Sequence, residues 1–409
     1  MLRRFRYIYP RNVLISIIIT YSIMPIISRF ISTYLTTYFY MLLIAYSFLV
    51  IIFSRGMESI NKYCALLIPF LFFEGLTFFI RTNSIIEWGY QVLIFLLPIV
   101  VGYALLYESY ARIERLSNVI CFALVITAIT SVIGLVQYPS AARILATIES
   151  AQSDLAILYS WHNIGGYEFI YTIVLMYPIL IYAYKRKKIS LPFTICIVIG
   201  ILSLILLSEY TTALLLLGIS SMLFFVKRDL NVQDVFVIAI LAIIVLFVLN
   251  DYVADFFRYL STIINSQDIS ERLLALSGGT TGLEASDDNR IFLYRKSFNT
   301  FLEYPLFGSF ISGDIRVGGH SAILDSLAQF GLVGASVLFF MYRKIYRIFI
   351  RPFNKNKGYG YLVWSFLQAI ILSVLNTGLW LYVLTLYIPI LSYKINEMDG
   401  KENENSLGS

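Results

Sequence analysis

The chain has 409 residues, 59% of them hydrophobic and 14% charged, with a mean hydropathy of +0.77 and a formal net charge of +6. Soluble domains run at about 45–50% apolar and about 25% charged, so a water-soluble fold, which could not hide this much apolar surface, is excluded. The basic excess sits in short segments between apolar runs, which points to membrane topology and not to nucleic acid.

Apolar runs approach the roughly 20 residues that span a bilayer. Twelve candidate spans are read at 13–28, 34–53, 63–80, 89–106, 117–137, 164–184, 191–208, 211–226, 233–250, 321–341, 361–376 and 379–393. The expected fold class is an all-α polytopic membrane protein with about 12 transmembrane helices, a single integral membrane domain over 1–409. The opening MLRRFRYIYPRN has the charge of a signal peptide but no small-residue cleavage site, so it is read as an uncleaved first helix. Cys64, Cys121 and Cys196 each lie in an apolar run without a CxxC spacing, so neither a disulfide framework nor a metal knuckle is indicated.

Lys and Arg placement sets the orientation. With the N-terminus inside, alternation puts most of the 31 basic residues on the inner side: Arg3 to Arg11, Arg55 and Lys62, Arg112 and Arg115, Lys185 to Lys188, Lys227 and Arg228, Arg343 to Lys357, and the tail 394–409. Both termini are expected to be cytoplasmic.

Two segments on the other side exceed a hairpin: 138–163, and 251–320 between spans nine and ten. Long connections in a compact protein are usually functional or disordered. The second holds a turn-rich centre, SGGTTGLEASDD, flanked by stretches with apolar residues at helical spacing. These are 255–264, and 289–302 with Ile291, Tyr294, Phe298 and Phe301 as one stripe. Asp287 and Asp288 are placed to cap the latter helix and Pro305 to follow it. An amphipathic helix tethered this way is expected to lie in the interface plane.

Polar residues gather at 287–334. His320, one of two histidines, stands after Gly318-Gly319 at the mouth of span ten. Its bland reading is an interfacial structural histidine; its functional reading is a general base, since imidazole titrates nearest neutral pH. Arg290, Arg295 and Arg316 precede it. Guanidinium grips phosphate in a bidentate fork, although a surface arginine can simply snorkel. Asp325 sits one turn into span ten and shares a face with Ser321 and Gln329; an acid there lines a cavity or is a solvated helix-end carboxylate. His320 and Asp325 are five apart, about 140° round a helix, so a direct dyad is not implied. His162 closes the first outer loop behind Trp161, mirroring His320. Glu209 and Tyr210 occupy the tight turn between spans seven and eight. Glu74 and Glu168 lie within apolar runs as candidate cavity-lining groups. No Walker loop, GxSxG, HExxH or acidic metal cluster is found, and no inner segment is large enough for a nucleotide sugar, so no cofactor or metal is expected.

Arg290, then Pro305-Leu306-Phe307-Gly308, Gly319-His320-Ser321 and Phe330-Gly331-Leu332-Val333-Gly334 resemble the O-antigen ligase and polymerase superfamily in order, spacing and side of the membrane. The motif covers about 45 residues and the topology covers the chain. The resemblance implies a GT-C-like fold and metal-independent glycosyl transfer from undecaprenyl-diphosphate-linked glycan outside the bacterial cytoplasmic (inner) membrane. Arg290 would hold the donor diphosphate and His320 would orient or deprotonate the acceptor hydroxyl. Ligase relatives often carry Ser-Arg where this chain has Ser208-Glu209-Tyr210-Thr211-Thr212, so a second diphosphate arginine must come from elsewhere: Arg143, Arg295 or Arg316. The expected function is that of a Wzy-type O-antigen or capsular polysaccharide polymerase. Its donor and acceptor are both undecaprenyl-diphosphate-linked oligosaccharides, with the bilayer and a chain-length regulator protein as partners. The alternatives are a ligase with a lipid A–core acceptor in lipopolysaccharide synthesis and, from another class, a polysaccharide flippase.

Overall fold

A computed structural model describes residues 8–35, 110–139, 141–145, 154–226, 232–248, 250–263, 286–312, 317–353, 358–378 and 380–395, with isolated positions 38, 39, 42, 45, 98, 230, 270 and 274. Among these, every regular element is helical. The helices are α1 (Ile8–Ile23), α2 (Pro25–Phe30), α3 (Tyr110–Gln137), α4 (Ala141–Ile144), α5 (Asp154–Trp161), α6 (Tyr167–Lys185), α7 (Leu191–Ser208), α8 (Thr211–Ser221), α9 (Val232–Val248), α10 (Asn250–Ile263), α11 (Ser286–Glu303), α12 (Ala322–Ile345), α13 (Tyr359–Leu375) and α14 (Val383–Ile395). The expected spans at 34–53, 63–80 and 89–106 fall largely outside the described residues, as do most of the turn-rich centre at 277–288 and the tail 396–409.

Among the described residues, four helices are long and apolar enough to cross a membrane: 113–137, 167–185, 191–208 and 322–353. A fifth span results if Leu14–Ile23 and Pro25–Leu35, which meet at 109°, are one broken crossing. The bend has a local cause. Met24 is extended (φ −103°, ψ 107°) because the ring of Pro25 bars the residue before it from helical geometry. Shorter apolar helices cover Thr211–Phe224, Tyr359–Leu375 and Val383–Ile395. Apolar helices on this scale make the chain a membrane protein by composition and length.

The core is built round α6. Phe169 through Ile179, with Ile181 and Tyr182, are all buried, and α6 packs on α13, α8, α7 and α14. Trp364, Tyr177, Tyr182, Tyr361 and Tyr387 are the largest fully buried side chains. Outer surfaces of α3 and α7 expose Phe122, Ile129, Ile133, Phe193 and Ile199 instead, as suits lipid-facing helices.

Contacts sort the helix ends into two groups. Lys185 Nζ donates to Val226 O, Tyr346 and Tyr359 join hydroxyls, and Lys394 Nζ donates to Asn118 Oδ1 at 2.6 Å. At the opposite end Ile26 N donates to Asn163 Oδ1 (3.2 Å), Tyr210 Oη to Ala142 O (2.8 Å) and Ala322 N to Asn376 O (2.9 Å). The second group joins segments that alternation assigns to one common side, the side of the two long connections.

Candidate active site

Among the described residues, α11 lies along α12 in the most extensive helix pairing. Its contact face differs from the expected stripe. Ser297 and Thr300 are buried against α12, whereas Phe292, Phe298 and Leu302 are exposed. Small residues let the two backbones approach, and the aromatic residues are left outside, where an interfacial helix would present them to lipid. Asp287 and Asp288 fall inside the first turn of α11, not ahead of it. Acidic residues there still suit the positive end of the helix.

The approach of the two helices is fixed by backbone. α12 is interrupted at Gly331 (φ +63°, ψ −155°), which frees amide groups inside an apolar helix. The turn Pro305-Leu306-Phe307-Gly308 fills that gap: Leu332 N donates to Pro305 O (2.9 Å) and Val333 N to Leu306 O (3.2 Å). A Cβ on Gly308 (φ +72°) would lie 2.3 Å from the carbonyl of Gln329, and one on Gly331 would lie 2.4 Å from the carbonyl carbon of Leu306. The two glycine motifs are therefore halves of one interlock, and its effect is to set the register of α11 on α12.

That register builds the site. Ser297 Oγ donates to Asp325 Oδ1 at 2.5 Å and accepts from Gly318 N at 2.8 Å. Asp325 Oδ2 accepts from Ser321 N at 3.1 Å, while Ser321 Oγ accepts from Leu324 N at 3.0 Å. This is a capping box with its acid one residue later than usual, at the helix end whose dipole favours a carboxylate. Asp325 is thus neither a loose solvated end group nor a partner of His320 by spacing alone. It ties α11 to the start of α12. Ala322 N to Asn376 O and Tyr294 Oη to Leu375 O (2.7 Å) add the end of α13. His320 stands between Gly318 and Ser321, both held by these bonds, and is itself exposed. An accessible imidazole on an immobilised backbone is the arrangement a general base needs.

Arg290 lies in the second turn of α11, seven residues before Ser297 and four before Tyr294, which puts its position on the same face. Its side chain and all of Arg316 lie outside the described residues. Arg295 is exposed and two residues from Ser297, on the opposite face of α11. The backbone of Arg143 lies in α4 beside Ala142; its side chain lies outside the described residues.

The other expected residues stand at the ends of other helices. Glu209 adopts φ 61° and closes α7, and Tyr210 follows it. The ring of Tyr210 packs on Tyr167 (5.6 Å) and Tyr171 (5.9 Å), and both of those meet Trp380. His162 is exposed and rests on Tyr138 (5.6 Å). Its neighbour Asn163 is the structural residue there: it is buried and bonded to Thr130, Thr127 and Ile26. Ser297, Asn376, Tyr167, Tyr171 and Trp380 were not singled out by sequence reasoning. The one signal available for Ser297 was its seven-residue spacing from Arg290. Among the described residues, no three His, Cys, Asp or Glu side chains gather in a way that could hold a metal ion.

A scan against protein-family models finds no match for this chain, and a search of curated proteins finds none either.

Proposed function

We propose that the chain is a polysaccharide polymerase of the Wzy type. It transfers an undecaprenyl-diphosphate-linked glycan onto a lipid-linked repeat unit at the outer face of the bacterial cytoplasmic membrane. In this reading it has twelve spans in a GT-C-like arrangement, both termini in the cytoplasm and the large connection between spans nine and ten outside. The observation that carries the reading is the pinned loop at 318–321: an exposed histidine between two immobilised residues, beside a helix face that bears Arg290.

The chemistry needs little more. The acceptor hydroxyl oxygen attacks the anomeric carbon of the donor's first sugar. The bond from that carbon to the phosphate oxygen breaks, and its electron pair leaves on the diphosphate carrier. His320 takes the hydroxyl proton. Arg290 spreads the charge of the leaving diphosphate through two parallel hydrogen bonds, which strengthen as the charge develops. Asp325 touches neither substrate; it and Ser297 keep the histidine in place.

Purified protein supplied with one defined lipid-linked repeat unit and nothing else is expected to form a ladder of products and release the diphosphate carrier. Product only after lipid A–core is added would make it a ligase. Carrier release under neither condition would overturn glycosyl transfer and favour a flippase.

A further inference from the structure

Glu168 lies in the first turn of α6, the most enclosed of the long spans, and the residues after it, Phe169 through Ile179, are buried. Glu168 itself is solvent-exposed. An exposed side chain at the head of so buried a helix marks the end at which the span opens. A carboxylate at the outer end of a buried span would otherwise be costly, and such residues characteristically face a cavity.

Its chain neighbour Tyr167 belongs to an aromatic cluster. Tyr167 and Tyr171, one turn apart, meet at 4.7 Å, and Tyr210 and Trp380 complete a four-ring cluster with centroids 5.6–6.2 Å from them. Tyr167 and Tyr210 are only half-buried, so part of the ring surface is open. Trp380 adopts φ 56°, a left-handed conformation that a bulky side chain holds only when its surroundings impose it. Its Nε1 is buried without an acceptor, and so is Nδ2 of Asn376 in the same turn; each residue is 8% exposed. Buried donors normally have partners; Trp380 belongs to the aromatic cluster, and Asn376 holds Ala322, two residues past His320.

We infer that this aromatic cluster, with its two unpartnered donors and Glu168 next to it in the chain, is the subsite for the sugar rings of the glycan substrate, not for its diphosphate. Flat apolar ring faces receive the C–H face of a pyranose. Glu168 accepts from sugar hydroxyls, and the Trp380 and Asn376 donors supply their oxygens with hydrogen bonds. A carboxylate at the edge repels a diphosphate, so the anionic end of the substrate lies towards α11. The inference rests on the polymerase reading for the identity of the glycan, and its test does not depend on turnover.

Two probes are titrated against the purified full-length protein. One is a single repeat unit of the source strain's surface polysaccharide, released as free oligosaccharide; the other is inorganic pyrophosphate. The oligosaccharide is expected to bind, and Glu168→Gln and Trp380→Phe each to weaken it at least tenfold, with pyrophosphate binding unchanged. If Trp380→Phe does not purify as a monodisperse protein, Tyr210→Leu carries the same expectation. Failure of the wild-type protein to bind oligosaccharide, equal binding by the variants, or parallel loss of pyrophosphate would each overturn the subsite. The ladder assay in the same preparation separates the two ideas. A ladder with unweakened oligosaccharide binding in the variants leaves the polymerase standing and removes the subsite. Weakened binding in the variants, with no ladder from wild type, does the reverse.

Discussion

The Ser297 hydroxyl donates to the Asp325 carboxylate at 2.5 Å across the seam between α11 and α12, and the same oxygen receives Gly318 N. Removing it leaves a carboxylate oxygen and a backbone amide short of a partner in a partly buried place, at a cost of about 1–3 kcal/mol. Ser297→Ala should therefore lower polymer yield while the acceptor KM stays within about twofold of wild type, because the loss falls on positioning and not on binding. His320→Ala should abolish long-chain product with normal expression. In the Ser297→Ala/Asp325→Asn double variant the losses should be less than additive, since both side chains serve one bond. Full additivity in the ladder assay would separate Ser297 from Asp325.

Two arginines five residues apart on one helix give a sharper contrast. Arg290 shares a face with Tyr294 and Ser297, whereas Arg295 is exposed on the far side. Arg290→Lys keeps the charge but loses the bidentate fork, and product formation should drop by tenfold or more. Arg295→Ala should leave it within about twofold, as for a surface residue away from special features. Activity of Arg290→Lys equal to wild type would mean that charge alone is used. A large loss in Arg295→Ala would put the diphosphate on the other face of α11.

The interlock predicts which glycines cannot change. Gly308→Ala and Gly331→Ala each force a methyl to within 2.3–2.4 Å of the opposing backbone, in left-handed conformations. Neither backbone can retreat without breaking the bonds from Leu332 and Val333. Both variants should lose most folded protein from the membrane. Gly319 is the control: its φ is +79° but a Cβ there meets nothing within 4 Å, so Gly319→Ala should cost only about 1–2 kcal/mol of local strain. Detergent-extracted yield and the melting midpoint report all three, and equal yields would dissolve the distinction.

Legibility in the sequence followed the range of the interactions. The helices α6, α7, α12 and α13 were readable because an apolar run is a local property, and Gly, Pro and charge mark where it stops. The Ser321, Asp325, Gln329 face was readable for the same reason, and the structure buries Ser321 and Gln329 and half-buries Asp325. Ser297 was not, because its meaning comes from Asp325, 28 residues away. Trp380 and Asn376 carry no local signal, because their roles arise only when the fold sets them beside Tyr167 and Ala322. The stripe of Ile291, Tyr294, Phe298 and Phe301 was readable as an apolar face, with Phe298 exposed and Tyr294 and Phe301 half-buried. Periodicity marks an apolar face without saying whether protein or lipid covers it, and here the covered face is Ser297 and Thr300. Likewise PLFG and FGLVG were visible as motifs, but their complementarity exists only once the chain has folded back.

Sidedness can be tested on a residue outside the described part of the chain. Basic-residue asymmetry puts Thr281 outside. In a background with Cys64, Cys121 and Cys196 replaced, Thr281→Cys in intact cells should react with an impermeant maleimide, and Lys187→Cys should react only after lysis. Protection of Thr281→Cys would invert the topology.

The helix α10 gives the last prediction. It follows α9 after a single residue, and Tyr252, Phe256, Tyr259 and Ile263 recur at spacings of four, three and four along it. All four are exposed, while Asp255 and Arg258 form a 3.0 Å pair that is also solvent-accessible. An exposed apolar stripe on a helix that leaves the end of a membrane-grade segment is stable only if lipid covers it. Such helices lie with their apolar face about 5–10 Å below the headgroup boundary. In the cysteine-free background, a nitroxide at Phe256→Cys in liposomes should therefore relax faster with oxygen than with a water-soluble nickel chelate, and one at Arg258→Cys should show the reverse. The same order at both positions would mean that α10 stands clear of the bilayer. The long outer segment would then be anchored by α11 alone.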